Sequence, residues 1–424
     1  MACMACCVAS VHRIDICKKP SRLALPLGPY LSSTMFSKIS LLPTPTPLVE
    51  LRNLPRHLGC QARIFLKCDD MAPLGGAGNK LRKLEYLVAE AIEQGADTLV
   101  TTGCLQSNHA RLTAAVAARF NLGCELVLSK MVPRTSESYT SNGNVLLMRN
   151  FGAKLHMLER GADARAYARQ LMQELRAAGR KPYFIPFGGS SVQGAWGYVG
   201  CAHEIERQLA EQNLQADHVF CTTGSGGTQA GLVAGFAASD AHTQVHGISV
   251  LYPQERIAPV VSSLANGILM LMGRKPLPLG SQAVKVVDDQ IGPGYGIPSA
   301  AGLEAISLAG RTEGVMLDPV YTGKAFAGLL ATARTEQWNQ QTTVVFIHSG
   351  GTPGLYAYAD ALSEHLQQPA IQARQATSAS QTLGPAPLVR MAPEWAEAAN
   401  DDNGPPTIFE TEPTSDLLAP PAAR

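Results

Sequence analysis

The sequence predicts an α/β protein whose sheets are mostly parallel and covered by helices on both faces. Three observations carry that expectation. Strand and helix patterns alternate from about Leu41 to Gln367, the connections between them are short, and the strands read as buried apolar runs. There is no tandem repeat.

Arg63-Ile64-Phe65-Leu66-Lys67 reads as the first buried strand and ends at Asp69-Asp70. Gly75-Gly76-Ala77-Gly78 follows, and then Leu81, Leu84, Leu87, Val88 and Ile92 fall on one helical face. Lys80 therefore stands near a helix start, where the macrodipole disfavours a positive charge. An amine condensed with a carbonyl, beside a bound anion, suits that position better than an ammonium. Leu99–Thr102 is the next strand, with a helix from about Asn108 to Phe120; Cys124–Leu128 and Lys154–Leu158 are further strands. Helices are expected at about Asp163 to Ala178 and, after a strand at Pro182–Pro186, at about Val192 to Glu211. His218–Thr222, Val245–Val250 and Val284–Val287 each lead into a helical pattern, and Thr343–His348 is a last buried strand.

Ligands in such sheets sit beyond the carboxyl ends of strands, so the loops there carry the chemistry. Gln106-Ser107-Asn108-His109 runs straight into a helix. Ser107 or Asn108 is a natural N-cap, and the cluster holds more polar groups than a cap needs, which suits a carboxylate. Thr222-Thr223-Gly224-Ser225-Gly226-Gly227-Thr228 precedes an apolar helix and reads as a phosphate cup. It lacks the Walker lysine and is not a full dinucleotide fingerprint, so a single phosphate monoester is the better ligand. His348-Ser349-Gly350-Gly351 places a hydroxyl at a strand end. Tyr295 and Tyr321 each lie in a Gly- and Pro-containing loop with little to pack against. An imine-forming lysine, a monophosphate cup and a hydroxyl loop, without a convincing Ser/His/Asp triad, match the aldehyde, phosphate and ring nitrogen of pyridoxal 5′-phosphate.

The composition excludes other classes. Hydrophobic residues at 46%, charged residues at 16% and a net charge of +1 give neither a nucleic-acid surface nor a membrane surface. Gly267–Met272 is too short to span a bilayer. Ten scattered cysteines suggest a reducing compartment, and Cys3, Cys6 and Cys7 lack the partners for a metal site, so no metal is expected. Cys60, Cys68, Cys104, Cys124, Cys201 and Cys221 read as small buried hydrophobes. Residues 1–40 read as a disordered extension, either a weak transit peptide or an over-extended start with Met35 as the initiator. Residues 368–424, rich in Ala, Pro, Ser, Thr and Gln, read as a disordered tail.

The motifs Gly78–Glu85, Gln106–His109, Thr223–Thr228, Tyr295–Pro298, Asp318–Tyr321 and His348–Gly351, in that order, resemble fold-type-II pyridoxal-phosphate enzymes. The likeness is to the branch of D-cysteine desulfhydrases and 1-aminocyclopropane-1-carboxylate deaminases, and it covers about Leu42 to Leu362. It implies a tryptophan synthase β-like fold with two open, mostly parallel, twisted sheets. The larger, cofactor-binding domain would comprise residues 41–95 and 180–367, and the smaller residues 96–179. It implies that Lys80 forms the imine, that Asn108 bonds the pyridine hydroxyl, and that Thr223, Gly224, Ser225, Gly226, Gly227 and Thr228 hold the phosphate. Ser349 would meet the ring nitrogen. Ser107, Asn108 and His109 would bind substrate, with Ser107 and His109 facing its carboxylate, and Tyr295 and Tyr321 would stand over its side chain.

The expected reaction is α,β-elimination on a small β-substituted amino acid, with D-cysteine giving pyruvate, ammonia and sulfide. Lys80 or Ser107 would take the α-proton, and Tyr295 or Tyr321 would serve as acid. L-cysteate sulfo-lyase, loss of chloride and opening of the cyclopropane ring are the alternatives within the class; a silent protein holding pyridoxal phosphate is the alternative outside it. His109 and Ser349 differ from the Gln and Leu usual in the deaminases. A cytoplasmic homodimer is implied. Two departures stand out: Cys68 where the branch usually has arginine, which removes a charge beside Asp69-Asp70, and Ala77 where glycine is common.

Overall fold

A computed structural model describes residues 35–278, 280–336 and 338–369. Residues 1–34 and 370–424 lie outside it, and with them Cys3, Cys6, Cys7 and nearly all of the expected extension and tail. In chain order the elements are β1 (Leu48–Leu51), α1 (Asn53–Leu58), β2 (Arg63–Cys68), α2 (Lys80–Glu93), β3 (Thr98–Cys104) and α3 (Asn108–Arg119). Then come β4 (Gly123–Ser129), α4 (Glu137–Ser141), α5 (Asn144–Asn150), β5 (Lys154–Leu158), α6 (Ala164–Ala177), β6 (Pro182–Ile185) and α7 (Val192–Ala210). The second half holds β7 (His218–Thr223), α8 (Gly227–Ala238), β8 (Gln244–Ser249), α9 (Gln254–Leu271), β9 (Val284–Val287) and α10 (Ala300–Glu313). It ends with α11 (Thr322–Thr335), β10 (Thr343–His348), α12 (Thr352–Ala357) and α13 (Ala359–Leu366).

The strands form two sheets, one in the order β1-β2-β10-β7-β8-β9 and one in the order β5-β4-β3-β6. Every pair is parallel except β1 with β2. Strand alternation splits the cores cleanly. Val219 and Cys221 pack under α7, α8 and α9, whereas Phe220 between them joins Phe326, Ala305 and Leu329 on the other face. Leu99 and Val100 divide the small sheet in the same way, the first toward α2 and α3, the second toward Leu171 and Met172 of α6.

Two features depart from the sequence expectation. β6 pairs with β3, Thr98 opposite Pro182, so the small sheet runs past residue 179, where the sequence had placed its end. The crossover through α6 carries the chain over β4 and β3 to the free edge, which the length of a strand cannot reveal. The edge strand β1 and the short helices α1, α4 and α5 are too brief to show a period in the sequence.

These orders create two switch points. In the small sheet the chain runs β3, β4, β5 to one side and returns to β6 on the other. In the large sheet it runs β7, β8, β9 to one side and places β10 on the other. Crevices open beyond the carboxyl ends of the strands at such points. Both serve one cleft.

Candidate active site

The cleft opens beyond these strand ends, between loops of both sheets. It is lined by Lys80, Ser107, Asn108, His109, Gly224, Ser225, Gly226, Thr228, Tyr295, Tyr321 and Ser349, all expected from sequence. Thr222, at the head of the expected cup, lines it too, and Asn79, Phe187, Gly188 and Leu251, to which the sequence assigns no role, complete the lining.

Lys80 is the first residue of α2, and its Nζ donates to Asn79 Oδ1 at 3.1 Å. Burial draws its amine down to about 8, so a usable neutral fraction exists near pH 7. Asn79 ties the lysine to two other loops: its Nδ2 donates to Thr228 Oγ1 (3.1 Å) and its backbone N–H to Ser349 O (3.0 Å). The glycine loop touches the Ser349 loop so closely that a Cβ on Gly350 would lie 2.8 Å from Gly78 Cα. Behind it the buried Arg111 of α3 donates to Ala77 O (2.7 Å) and Gly76 O (3.3 Å).

Ser107 caps α3, its Oγ accepting from Ala110 N–H at 3.1 Å. That leaves its hydroxyl proton to donate, which suits a carboxylate rather than the removal of an α-proton. Asn108 Oδ1 accepts from Asn144 Nδ2 at 2.9 Å, so its amide nitrogen remains a donor.

His109 differs from expectation. Thr101 spends its hydroxyl proton on Ile185 O (2.7 Å), so the 3.0 Å contact with His109 Nε2 requires the proton on that nitrogen. Nδ1 then carries a lone pair, buried and without a partner. Burial first, then the nearby Lys80 and Lys83, hold the imidazole well below its ordinary pKa. A neutral acceptor cannot bind the substrate carboxylate through Nδ1.

The phosphate cup is corrected at two residues. Thr223 Oγ1 donates to Gln229 Oε1 (2.8 Å) and faces away from the cleft; Thr222, on the other face of β7, points its unpartnered Oγ1 inward. Gly227 does not line the cleft, and its N–H donates to Ser190 Oγ at 3.1 Å. Lys83, one turn after Lys80, backs the cup. Its Nζ donates to Gly188 O and Ser190 Oγ, both at 3.2 Å, and lies 2.9 Å from where a Cβ on Gly227 would stand. The Lys80-to-Lys83 spacing on one helical face was the available signal.

Tyr295 and Tyr321 meet hydroxyl to hydroxyl at 2.5 Å, and burial pushes both phenols far up, so they stay protonated. The Tyr321 turn is clamped by Asp318, whose carboxylate accepts from the N–H groups of Val320, Tyr321 and Thr322 and from Thr322 Oγ1.

The residues present fit pyridoxal phosphate. An amine, a glycine-rich helix start with the helix's unpaired N–H groups, and an unpartnered hydroxyl at Thr222 beside Ser349 face one space. A family described as pyridoxal-phosphate dependent enzymes matches residues 39–350. The chain belongs to this family. It is 42% identical over 325 residues to the D-cysteine desulfhydrases of Salmonella choleraesuis (strain SC-B67) and Salmonella paratyphi C (strain RKS4594), covering 77% of this chain and 97% of each relative. It is also similar to the crystal structure of an ACC deaminase homologue, at a TM-score of 0.70 and 36% identity, covering 78% of this chain and 97% of that one. A hydrogen sulfide-producing enzyme from Fusobacterium nucleatum, at 18% identity and a TM-score of 0.52, shares the fold. The protein is thus a pyridoxal-phosphate-dependent enzyme of fold type II, in a lyase family. Among the described residues no helix is long and apolar enough to cross a membrane, and no group of ligands could hold a metal ion.

Proposed function

We propose that the enzyme is a D-cysteine desulfhydrase, converting D-cysteine to pyruvate, ammonia and hydrogen sulfide. The observation that carries the reading is one cleft holding an amine drawn to about 8 and, with it, two phenols kept protonated. These are the base and the hydrogen-bond donors at the leaving group that an elimination uses. The names of the relatives supply the substrate.

Lys80, Asn108, Thr222, Ser349 and the loop from Gly224 to Thr228 would hold the cofactor. Pyridoxal phosphate, when bound, supplies an electron sink that makes the α-hydrogen acidic. Ser107 O–H, at the start of α3, binds the substrate carboxylate. Lys80 Nζ takes the α-proton. The Cβ–S bond then breaks with its electron pair on sulfur, the Tyr295–Tyr321 pair donates a hydrogen bond to the departing thiolate, and the thiolate takes its proton from solvent. What remains is hydrolysed to pyruvate and ammonia. The same reading makes the enzyme a cytoplasmic homodimer, which light scattering and cell fractionation check.

A second reading, opening of the cyclopropane ring, is favoured by the solved ACC deaminase homologue. A pyruvate assay separates them across D-cysteine, L-cysteine, L-cysteate, β-chloro-D-alanine and 1-aminocyclopropane-1-carboxylate. D-Cysteine should be the best substrate, and Lys80→Ala should lower the rate by at least about 10³-fold. Preference for the cyclopropane substrate or for L-cysteate would replace the reading, and wild-type turnover by Lys80→Ala would remove the role of the lysine.

A further inference from the structure

The loop Gly292-Pro293-Gly294-Tyr295-Gly296 carries one of the two phenols on a backbone with little stiffness of its own. Gly292, Gly294 and Gly296 take φ of 64°, 144° and 73°. Three such glycines within five residues leave the unfolded chain great freedom, so something outside the loop must fix it. Lys324 does. Its Nζ donates to Ile291 O at 2.7 Å and to Gly294 O at 2.9 Å, bracketing the turn that leads into Tyr295. On the far side of Tyr295, Tyr358 OH donates to Gly296 O at 2.7 Å.

Lys324 is fully buried, and its partners are two carbonyls rather than a carboxylate. Burial draws its amine down to about 8 against the opposing pull of Asp318. Burying an ammonium on neutral acceptors is costly, and an apolar residue would fill the same volume more cheaply. The arrangement has a geometric use. Lys324 lies three residues after Tyr321, in the first turn of α11, the helix whose entry Asp318 clamps. One lysine thus joins the Tyr321 turn to the Tyr295 loop and holds the two hydroxyls in contact.

We propose that Lys324 is a positioning residue for the reaction, aligning the Tyr295–Tyr321 pair to donate a hydrogen bond to the departing sulfur. The proposal rests on the elimination reading above. It distinguishes two leaving groups. A thiolate, the conjugate base of a thiol with a pKa of about 8.5, is a poorer leaving group than chloride and gains more from a hydrogen bond as it leaves.

The test compares the holoenzymes of wild type, Lys324→Met and Tyr295→Phe on D-cysteine and β-chloro-D-alanine, with the cofactor absorbance recorded for each. Lys324→Met should lose at least about tenfold more kcat on D-cysteine than on β-chloro-D-alanine, with KM within threefold and the absorbance retained. Tyr295→Phe should show the same selectivity. Equal losses on both substrates, or none, overturn the proposal. Should Lys324→Met fail to fold, Lys324→Gln, which keeps two N–H donors, is read by the same criterion; failure of both makes the lysine structural and also overturns it. If the wild-type enzyme releases no sulfide from D-cysteine, the function reading fails instead.

Discussion

At His109 the hydrogen-bond network, not the residue type, decides the chemistry. The hydroxyl of Thr101 is spent on Ile185 O, so the imidazole must donate from Nε2 and present a lone pair at Nδ1. The ring should stay neutral with that tautomer at the pH where a free imidazole is half protonated, since burial and two lysines oppose its protonation. ¹⁵N chemical shifts of the ring check this; a midpoint near 6.5 would show the environment to be misread. A sequence carries no information on where Thr101 sends its proton. Thr222 and Thr223 make the same point, because only the pleat of β7 decides which hydroxyl enters the cleft. The two departures resolve at this scale too. Asp69 keeps its charge partner without an arginine at Cys68, because Arg82 binds it through Nε (2.9 Å) and Nη2 (2.8 Å), with Tyr198 OH at 2.6 Å. Cys68 fills the opposite, apolar face of β2. Ala77 does adopt a positive φ, 56°. That costs about 1–2 kcal/mol, against about 0.8 for its buried methyl and about 0.5–1 of chain entropy saved relative to glycine, so the substitution comes out near even.

The position of Lys80 depends on how closely α2 and α7 approach. Gly197 of α7 lies against the turn that follows Lys80, and a Cβ there would stand 2.1 Å from Arg82 O. That obstacle is backbone and cannot swing away. Arg82 itself is anchored by bonds to Glu204 of α7 at 2.9 Å as well as to Asp69, and Glu204, despite its burial, is held down at about 2 by Arg82 and Lys67. Moving α2 outward would strain this network. Gly197→Ala should therefore destabilise by about 1–3 kcal/mol and weaken retention of pyridoxal phosphate, measured by urea unfolding and by dialysis followed by absorbance. An unchanged midpoint would mean that the helices separate freely. The long elements were legible because their periods run for many residues: the structure places α2, α3, α6 and α7 within a residue or two of the sequence reading. Close approach is a property of a pair of elements, and Gly197 reads in sequence only as a poor helix former.

For the whole molecule, the cleft and the acid-sensitive core occupy different ends of the large sheet. Every loop of the site except that of Tyr321, which follows α10, comes after the carboxyl end of a strand, but His246 sits within β8, stacked on Phe220 at 4.3 Å, and His218 opens β7. The two rings meet between Nδ1 of His218 and Nε2 of His246 at 3.1 Å, and His246 Nδ1 is buried without a partner. Burial, then Lys285 and His218, lower the pKa of His246 to about 3. In the unfolded chain it would titrate near 6.5, so below that pH the unfolded state binds the extra proton. Its contribution to stability is complete above pH 6.5 and is lost progressively as pH falls toward 3. The slope reaches up to about 1.4 kcal/mol per pH unit. His109, His203, His218 and His365 add to the same trend, while the buried Asp318, with its raised pKa, opposes it. The window from pH 6.5 to 4.5 also lies above the range in which Glu204 loses its contribution. His246→Phe keeps the aromatic stack and removes the titrating group. Urea unfolding at several pH values in that window should give the variant a shallower slope, with the difference from wild type approaching one proton. Parallel slopes would place the acid sensitivity elsewhere in the sheet.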